Sequence, residues 1–499
     1  MVYYKKRWMA MQRIKLNRVI GILFGLIFVS LLVVRLGVFQ KDEWEMSPLV
    51  SVSQPPSDRE TWMNIFQKDQ KIGYAHRQFS KTSEGYRILE SVFMRINTMG
   101  MVQDIRFKTI GDLNHRLALS TFDFELQSSL FRFKARGGVK GKTLIIYSGP
   151  TASEQKIDLP VEKEIYLPTG ILESMVNENL KPGDSRIFHV FDPMSMAQRP
   201  MKVAVVTEET VSVMNRQEKA KKVSVDFMGV PQFAWFGRDG TVLREEGSLG
   251  IRLEQTIREE ALSNVGISSS ADLTEIVSVR ANKAIPDAGQ HKELKIRLDG
   301  IKTDRLFLDG DRQSFNEKVL TIRKESILNL SPKGDGKPPG KLMAFLKPTP
   351  FIQSDHTEII AKAKEIVSQK DSDVVKATKL LDWVNQNIQK RPVLSVPNAL
   401  ETLRNRVGDC NEHAVLLAAL ARASGIPAEV EAGLVYQNGR FYYHAWNVLH
   451  LGGWITADAV MGQLPADVTH IRFVRGTEQQ VDLMGVIGKV KLEILSETR

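Results

Sequence analysis

The chain has 499 residues, too many for one ordinary core, so two or three domains are expected. Hydrophobic content of 42% and charged content of 25% are ordinary globular values. The net charge of +10 is spread along the chain, with a tight basic cluster only at the N-terminus and no nucleic-acid-binding motif. A single cysteine, Cys410, excludes any intramolecular disulfide.

Residues 1–18 carry Lys5, Lys6, Arg7, Arg13, Lys15 and Arg18 ahead of an apolar run at 19–39. That run suits one membrane-spanning helix of about 20 residues, with Arg35 near enough to its end to snorkel. Phe39-Gln40-Lys41-Asp42 offers no small-x-small cleavage site, so the run reads as a signal anchor. The basic flank then stays cytoplasmic and the bulk of the chain lies outside the plasma (inner) membrane, in the periplasm or its equivalent. Residues 40–60, with Ser51, Ser53, Pro55, Pro56 and Ser57, form a linker.

From 61 to 264 the dominant period is two. Lys222 to Phe227 alternates as a half-buried strand does, Gln232 to Glu245 reads as a hairpin around Asp239-Gly240, and Leu144 to Tyr147 is a shorter strand. One helical piece, near Gly170 to Asn179, interrupts the region. A second β segment follows at 265–330, where Leu294, Ile296 and Leu298 alternate with charged residues. Neither segment holds a catalytic constellation; His76, His115, His189 and His291 are scattered. Ser331 to Gly340 is rich in Pro and Gly, and 331–350 is assigned as a linker.

In 351–475 the texture changes to helices. Asp355-His356-Thr357-Glu358 resembles a capping box ahead of one helix, Asp373 to Gln389 gives a second, and Asn411 to Ser424 a third, stopped by Gly425 and Pro427. Cys410 sits at the first turn of this third helix, where the dipole and unpaired N–H groups favour thiolate. The period then returns to two. Glu429 to Tyr436, a turn at Asn438-Gly439, Arg440 to Leu449, a turn at Gly452-Gly453 and Trp454 to Asp458 read as successive strands. His444 lies mid-strand and Asp458 near the end of the next. Cysteine, histidine and aspartate so placed are the ingredients of a thiol triad, in which the imidazole takes the thiol proton and the carboxylate orients it. The two meet on one face only if a three-residue loop, Leu451 to Gly453, pairs His450 with Trp454 and Trp446 with Asp458; Gly453 could then supply the left-handed residue.

Leu403 to Asp458 resembles the bacterial transglutaminase-like superfamily, which has a papain-like core. The resemblance rests on Gly408-Asp409-Cys410 with Glu412-His413-Ala414, on Arg422 to Pro427, on His444-Ala445-Trp446, and on Trp454 ahead of Asp458. It spans roughly 350–470 and implies Cys410 as nucleophile, His444 as base, Asp458 as orienter and the Cys410 backbone N–H as part of an oxyanion site. Two positions depart from the pattern: Val448 stands where many relatives have a carboxylate, and Ala459-Val460 follow Asp458. The expected fold class is α+β: an N-terminal transmembrane helix, a β-rich extracytoplasmic region and a C-terminal transglutaminase-like (papain-like) domain, with 476–499 as a C-terminal β extension.

A zinc site from Cys410, His413, His444 and His450 is disfavoured, since it offers one thiolate and no familiar spacing. Trp446 is either a core aromatic or a wall of the substrate groove, and the face it shares with His444 slightly favours the wall; Asn447 points to the other face, Asp467 has nothing to place it beside His444, and His470 and His356 are read as structural. The implied function is a membrane-anchored thiol acyl-transfer enzyme acting on peptide or side-chain amides, more hydrolytic than crosslinking. Its partners would be a peptide or protein substrate and the inner membrane through 19–39, with no nucleic acid, and neither metal nor organic cofactor is required. The alternative is a catalytically inactive envelope scaffold or binding protein that uses its β-rich region.

Overall fold

Apolar–polar alternation continues through most of residues 59–256. In Leu119–Ser128, Phe122, Phe124 and Leu126 are buried while Thr121, Asp123 and Gln127 face solvent. The computed structural model describes residues 57–499 apart from 130, 150–153, 178–179, 228–229, 264–271, 328–339 and 394. In it these strands join into one 15-stranded sheet. Arg59–Gln67 lies at its centre. On one side, antiparallel neighbours step forward along the chain to Gln155–Pro160; on the other, Arg59–Gln67 pairs with Ile251–Thr256 and neighbours step backward to Ile165–Tyr166. The two wings share a core, in which Phe122 meets Phe191 of the opposite wing with ring centroids 5.0 Å apart. The helix near Gly170 is present as Pro168–Asn177.

The α+β expectation is corrected. The chain is mostly β, with 49% strand and 20% helix. Helical texture is confined mainly to 357–423, and sheet pairing over almost two hundred residues outweighs it. The transmembrane helix assigned to 19–39 lies outside the described residues. Among the described residues no helix is long and apolar enough to cross a membrane.

Residues Ser51–Arg499 form one compact unit. Within it, Phe351 and Val396 pack into the core of the large sheet, and Gln103 Nε2 donates to the Pro392 carbonyl at 3.3 Å. The second β segment contributes Glu293–Asp299, Gln313–Asn316 and Val319–Arg323 to a 4-stranded sheet completed by the C-terminal strand Lys491–Thr498. Leu294, Ile296, Leu320, Ile322, Leu492 and Ile494 from this sheet pack into the same core as the helices Thr357–Ile366, Asp373–Asn387 and Cys410–Ala423. His356, not Asp355, caps the first of those helices, its Nδ1 accepting from the Glu358 N–H at 3.3 Å. A short helix absent from the sequence reading, Ala399–Asn405, is capped by Asn398. The end of the expected linker is also structured: Leu342–Leu346 forms a 3-10 turn, and the Phe345 ring stands edge-on to Trp454 at 5.1 Å.

Ala428–Gln437 and Arg440–His450 form a hairpin at the centre of a 5-stranded sheet, with Asn438 and Gly439 at φ 50° and 84°. Both residues lie in the left-handed region that a two-residue turn demands. Ile471–Arg475 pairs with the first strand of this hairpin, and Val279–Arg280 and Trp454–Ala457 pair with the second.

Candidate active site

The Cys410–Ala423 helix begins with a full capping box. The Asp409 carboxylate accepts from the Asn411 N–H at 2.9 Å, and Glu412 Oε2 accepts from the Asp409 N–H at 3.0 Å. Close approach makes Gly408 necessary, because a Cβ there would lie 2.3 Å from that of Glu412. The helix is buried along most of its length, so the sheet grips it from one side and the other helices from the rest. Asn447 adds a polar tie: its Nδ2 donates to the Ala414 carbonyl at 2.8 Å, fastening the His444 strand to the cysteine helix.

Cys410 lies against that strand, where the backbone N–H of Ala445 donates to its sulfur. The thiol is not held as a thiolate. Burial, followed by the Asp409 charge, pushes it well above its ordinary value, and the Ala445 N–H opposes this only in part. The helix-terminus argument for a thiolate is therefore outweighed by desolvation and by the acidic capping residues. Asp409 is itself pushed well above the usual carboxylate range by burial and by the neighbouring Glu412 charge. Burial lowers the pKa of His413, whose Nδ1 donates to the Asp409 carbonyl at 2.6 Å.

The hairpin register pairs His450 with Trp454 and Asn447 with Ala457. The Leu451 N–H donates to the Gly453 carbonyl at 2.9 Å, and the left-handed residue is Gly452, at φ 102°, rather than Gly453. With this register His444 and Asp458 share a face. His444 Nε2–H donates to Asp458 Oδ2 at 2.7 Å, which leaves Nδ1 as the atom able to receive the thiol proton. Asp458 Oδ1 accepts from the backbone N–H groups of Val460 at 2.7 Å and Met461 at 2.9 Å. Burial would raise the Asp458 carboxyl, but the charge and hydrogen bonds of His444 and His470 hold it well below the usual carboxylate range.

Two readings of the sequence change. Trp446 is only 1% exposed and lines no open groove. It packs as a core aromatic, stacked beside His444 at 6.1 Å, edge-on to His470 at 5.2 Å, with Nε1 donating to Glu431 Oε2 at 2.9 Å. His470, read as merely structural, reaches the site itself, its Nε2–H donating to Asp458 Oδ2 at 2.9 Å. Asp467 bonds His470 and not His444. Strand periodicity could not have found the contacts of Asp467 and His470, because both residues lie on an irregular segment held by Arg312.

His444, Asp458 and His470 offer ligand atoms within 4.8 Å of one another. They do not suit a metal as they stand: Asp458 Oδ2 accepts from both imidazoles, and His470 spends both ring nitrogens on carboxylates. Of the disfavoured zinc set, His413 bonds the Asp409 carbonyl and His450 stands edge-on to Trp454.

Residues 360–459 match the family model of the transglutaminase-like superfamily, so the chain carries a transglutaminase-like domain there. No protein of curated function matches the chain. Among solved structures, a candidate cysteine protease from Cytophaga hutchinsonii is 18% identical, over 42% of this chain and 86% of that one, with a TM-score of 0.28. A β-barrel-like protein from Brucella abortus, of a domain family of unknown function, is 11% identical, over 41% and 97% of the two chains, with a TM-score of 0.33. A candidate protease from Parabacteroides distasonis is 12% identical, over 52% and 64%, with a TM-score of 0.20. Likenesses this low carry nothing about the activity of this chain.

Proposed function

We propose that this chain, with its transglutaminase-like domain at 360–459, is a thiol acyl-transfer enzyme acting on peptide or side-chain amide bonds. The observation that carries the reading is the 2.7 Å His444–Asp458 pair on the strand whose next residue, Ala445, donates its N–H to the Cys410 sulfur. Because the resting thiol is kept protonated, His444 Nδ1 acts as general base as Cys410 attacks the amide carbonyl. Asp458 fixes the tautomer and stabilises the imidazolium that results. The imidazolium then protonates the leaving amine, and an acyl-thioester remains. Water attacks this thioester, with His444 again taking the proton, to release the acid and restore the thiol. Hydrolysis is the form proposed, because transfer to an amine would need a cleft built to favour that acceptor over water. An extracytoplasmic location belongs to the same proposal and is supported by the basic-then-apolar order of residues 5–39.

The test is alkylation of Cys410 by iodoacetamide in purified protein, wild type against His444→Ala, across pH 5–10. The expected result is at least about a hundredfold slower reaction of the variant near pH 7, the low end of general-base contributions. Equal rates and equal pH profiles would favour the second reading, an inactive scaffold. The half-buried, acid-flanked thiol, with its raised pKa, is the observation on that side.

A further inference from the structure

Behind the His444–Asp458 pair lies a second one, beyond the 360–459 span that the family model matches. His470 is fully buried. Its Nε2–H donates to Asp458 Oδ2 at 2.9 Å, the same oxygen that His444 uses, and its Nδ1–H donates to Asp467 Oδ1 at 3.2 Å. With both ring nitrogens donating to carboxylates, the imidazole is a cation. Asp467 is held in turn: its Oδ1 accepts from the Thr469 N–H at 2.8 Å and its Oδ2 from Gln463 Nε2 at 3.1 Å. The segment is fastened from outside the domain by buried Arg312, which donates to the carbonyls of Ala466 at 2.9 Å, Asp467 at 3.0 Å and His470 at 2.9 Å. Arg312 also pairs with Glu325 at 3.0 Å, and Glu325 accepts from the Thr456 N–H at 2.9 Å on the strand that leads into Asp458.

We propose that His470, gripped by Asp467, is a positioning residue for the reaction, a buried cation that acts through Asp458 on His444. This rests on the thiol-enzyme reading above. The shared Asp458 oxygen divides the carboxylate's charge between two imidazoles, so His470 tempers the hold of Asp458 on the His444 proton and leaves His444 a base able to release it. Burial opposes charge on His470, yet the hydrogen bonds and charges of the two aspartates outweigh it and lift its pKa to about 9. Other titratable or charged groups around the site are Cys410, Asp409 and Glu412 on the helix side and Glu431, Arg472 and Arg475 on the sheet side. Glu431 is already paired, with Arg475 at 2.6 Å and Arg472 at 3.3 Å.

The test is the pH profile of Cys410 alkylation in the full chain, for wild type, His444→Ala, His470→Gln and the double variant. Glutamine can still donate to Asp458 but carries no charge. Loss of a cation raises the pKa of every acid it faced, so His470→Gln moves the acid limb upward by about one pH unit. In the His444→Ala background the shift falls to less than half. An unmoved limb in folded His470→Gln, or an equal shift in both backgrounds, overturns the proposal. Identical profiles for wild type and His444→Ala would instead overturn the enzyme reading itself. Should His470→Gln fail to fold, histidine-labelled NMR of wild type decides: a buried imidazolium persisting through pH 8 supports the cation, and a neutral His470 at pH 7 overturns it.

Discussion

Asp458 accepts four hydrogen bonds, two per oxygen, and no other side chain type of its size could do so. Asn at this position has one acceptor atom, so either the two backbone N–H groups or the two imidazoles would face an NH2 group. Asp458→Asn is therefore expected to cost about 3–5 kcal/mol, the range for breaking a buried charged pair, read as a fall in urea midpoint at pH 6. The same network sets a pH window. Asp458 and Asp467 have folded pKa values below the ordinary carboxylate range, so their stabilisation is present above about pH 3.9 and lost as pH falls. His470 is raised to about 9, so its contribution is full below about pH 6.5 and lost as pH rises through 9. These are two views of one interaction and are not additive. Unfolding free energy should be flat near pH 5–6.5 and fall by on the order of 3 kcal/mol toward pH 9. His470→Gln should remove that alkaline slope.

The hairpin elements convert residue spacing into a site. A three-residue loop keeps His444 and Asp458 on one face, whereas a loop one residue shorter would turn Asp458 away. On the opposite side His444 pairs with Gly433, where a bulge interrupts pairing with Ile471–Arg475. A Cβ at Gly433 would lie 1.9 Å from the Ile471 carbonyl oxygen, which is backbone and has little room to yield. Gly433→Ala should therefore push Ala428–Gln437, the neighbour of the His444 strand, away from Ile471–Arg475, which follows His470. The expected loss is about 3 kcal/mol, the upper end for overpacking, with slower Cys410 alkylation in whatever folds. Thermal unfolding and the alkylation rate check the two halves separately.

Across the whole molecule, the 4-stranded sheet shares one core with the transglutaminase-like domain rather than being an appendage. Leu294, Ile296, Ile322 and Ile494 are buried with the helices, and Arg312 reaches the carbonyls beside His470. A fragment of residues 351–475 would expose this apolar face and leave those carbonyls unpaired. It should lack cooperative unfolding and near-ultraviolet circular dichroism, while a fragment of 273–499 retains both. The amino-acid order alone determined the local features: the cysteine helix, the hairpin turns, the face shared by His444 and Asp458, and the transglutaminase-like spacing. These depend on periods and turn chemistry within a few residues of each other. Tertiary structure decided the rest. It joined strands nearly two hundred residues apart into one sheet and so made the chain mostly β, sealed Trp446 inside, raised the Cys410 thiol, and brought His470 to Asp458. Burial and long-range hydrogen bonding depend on which distant surfaces meet, and no local pattern encodes that.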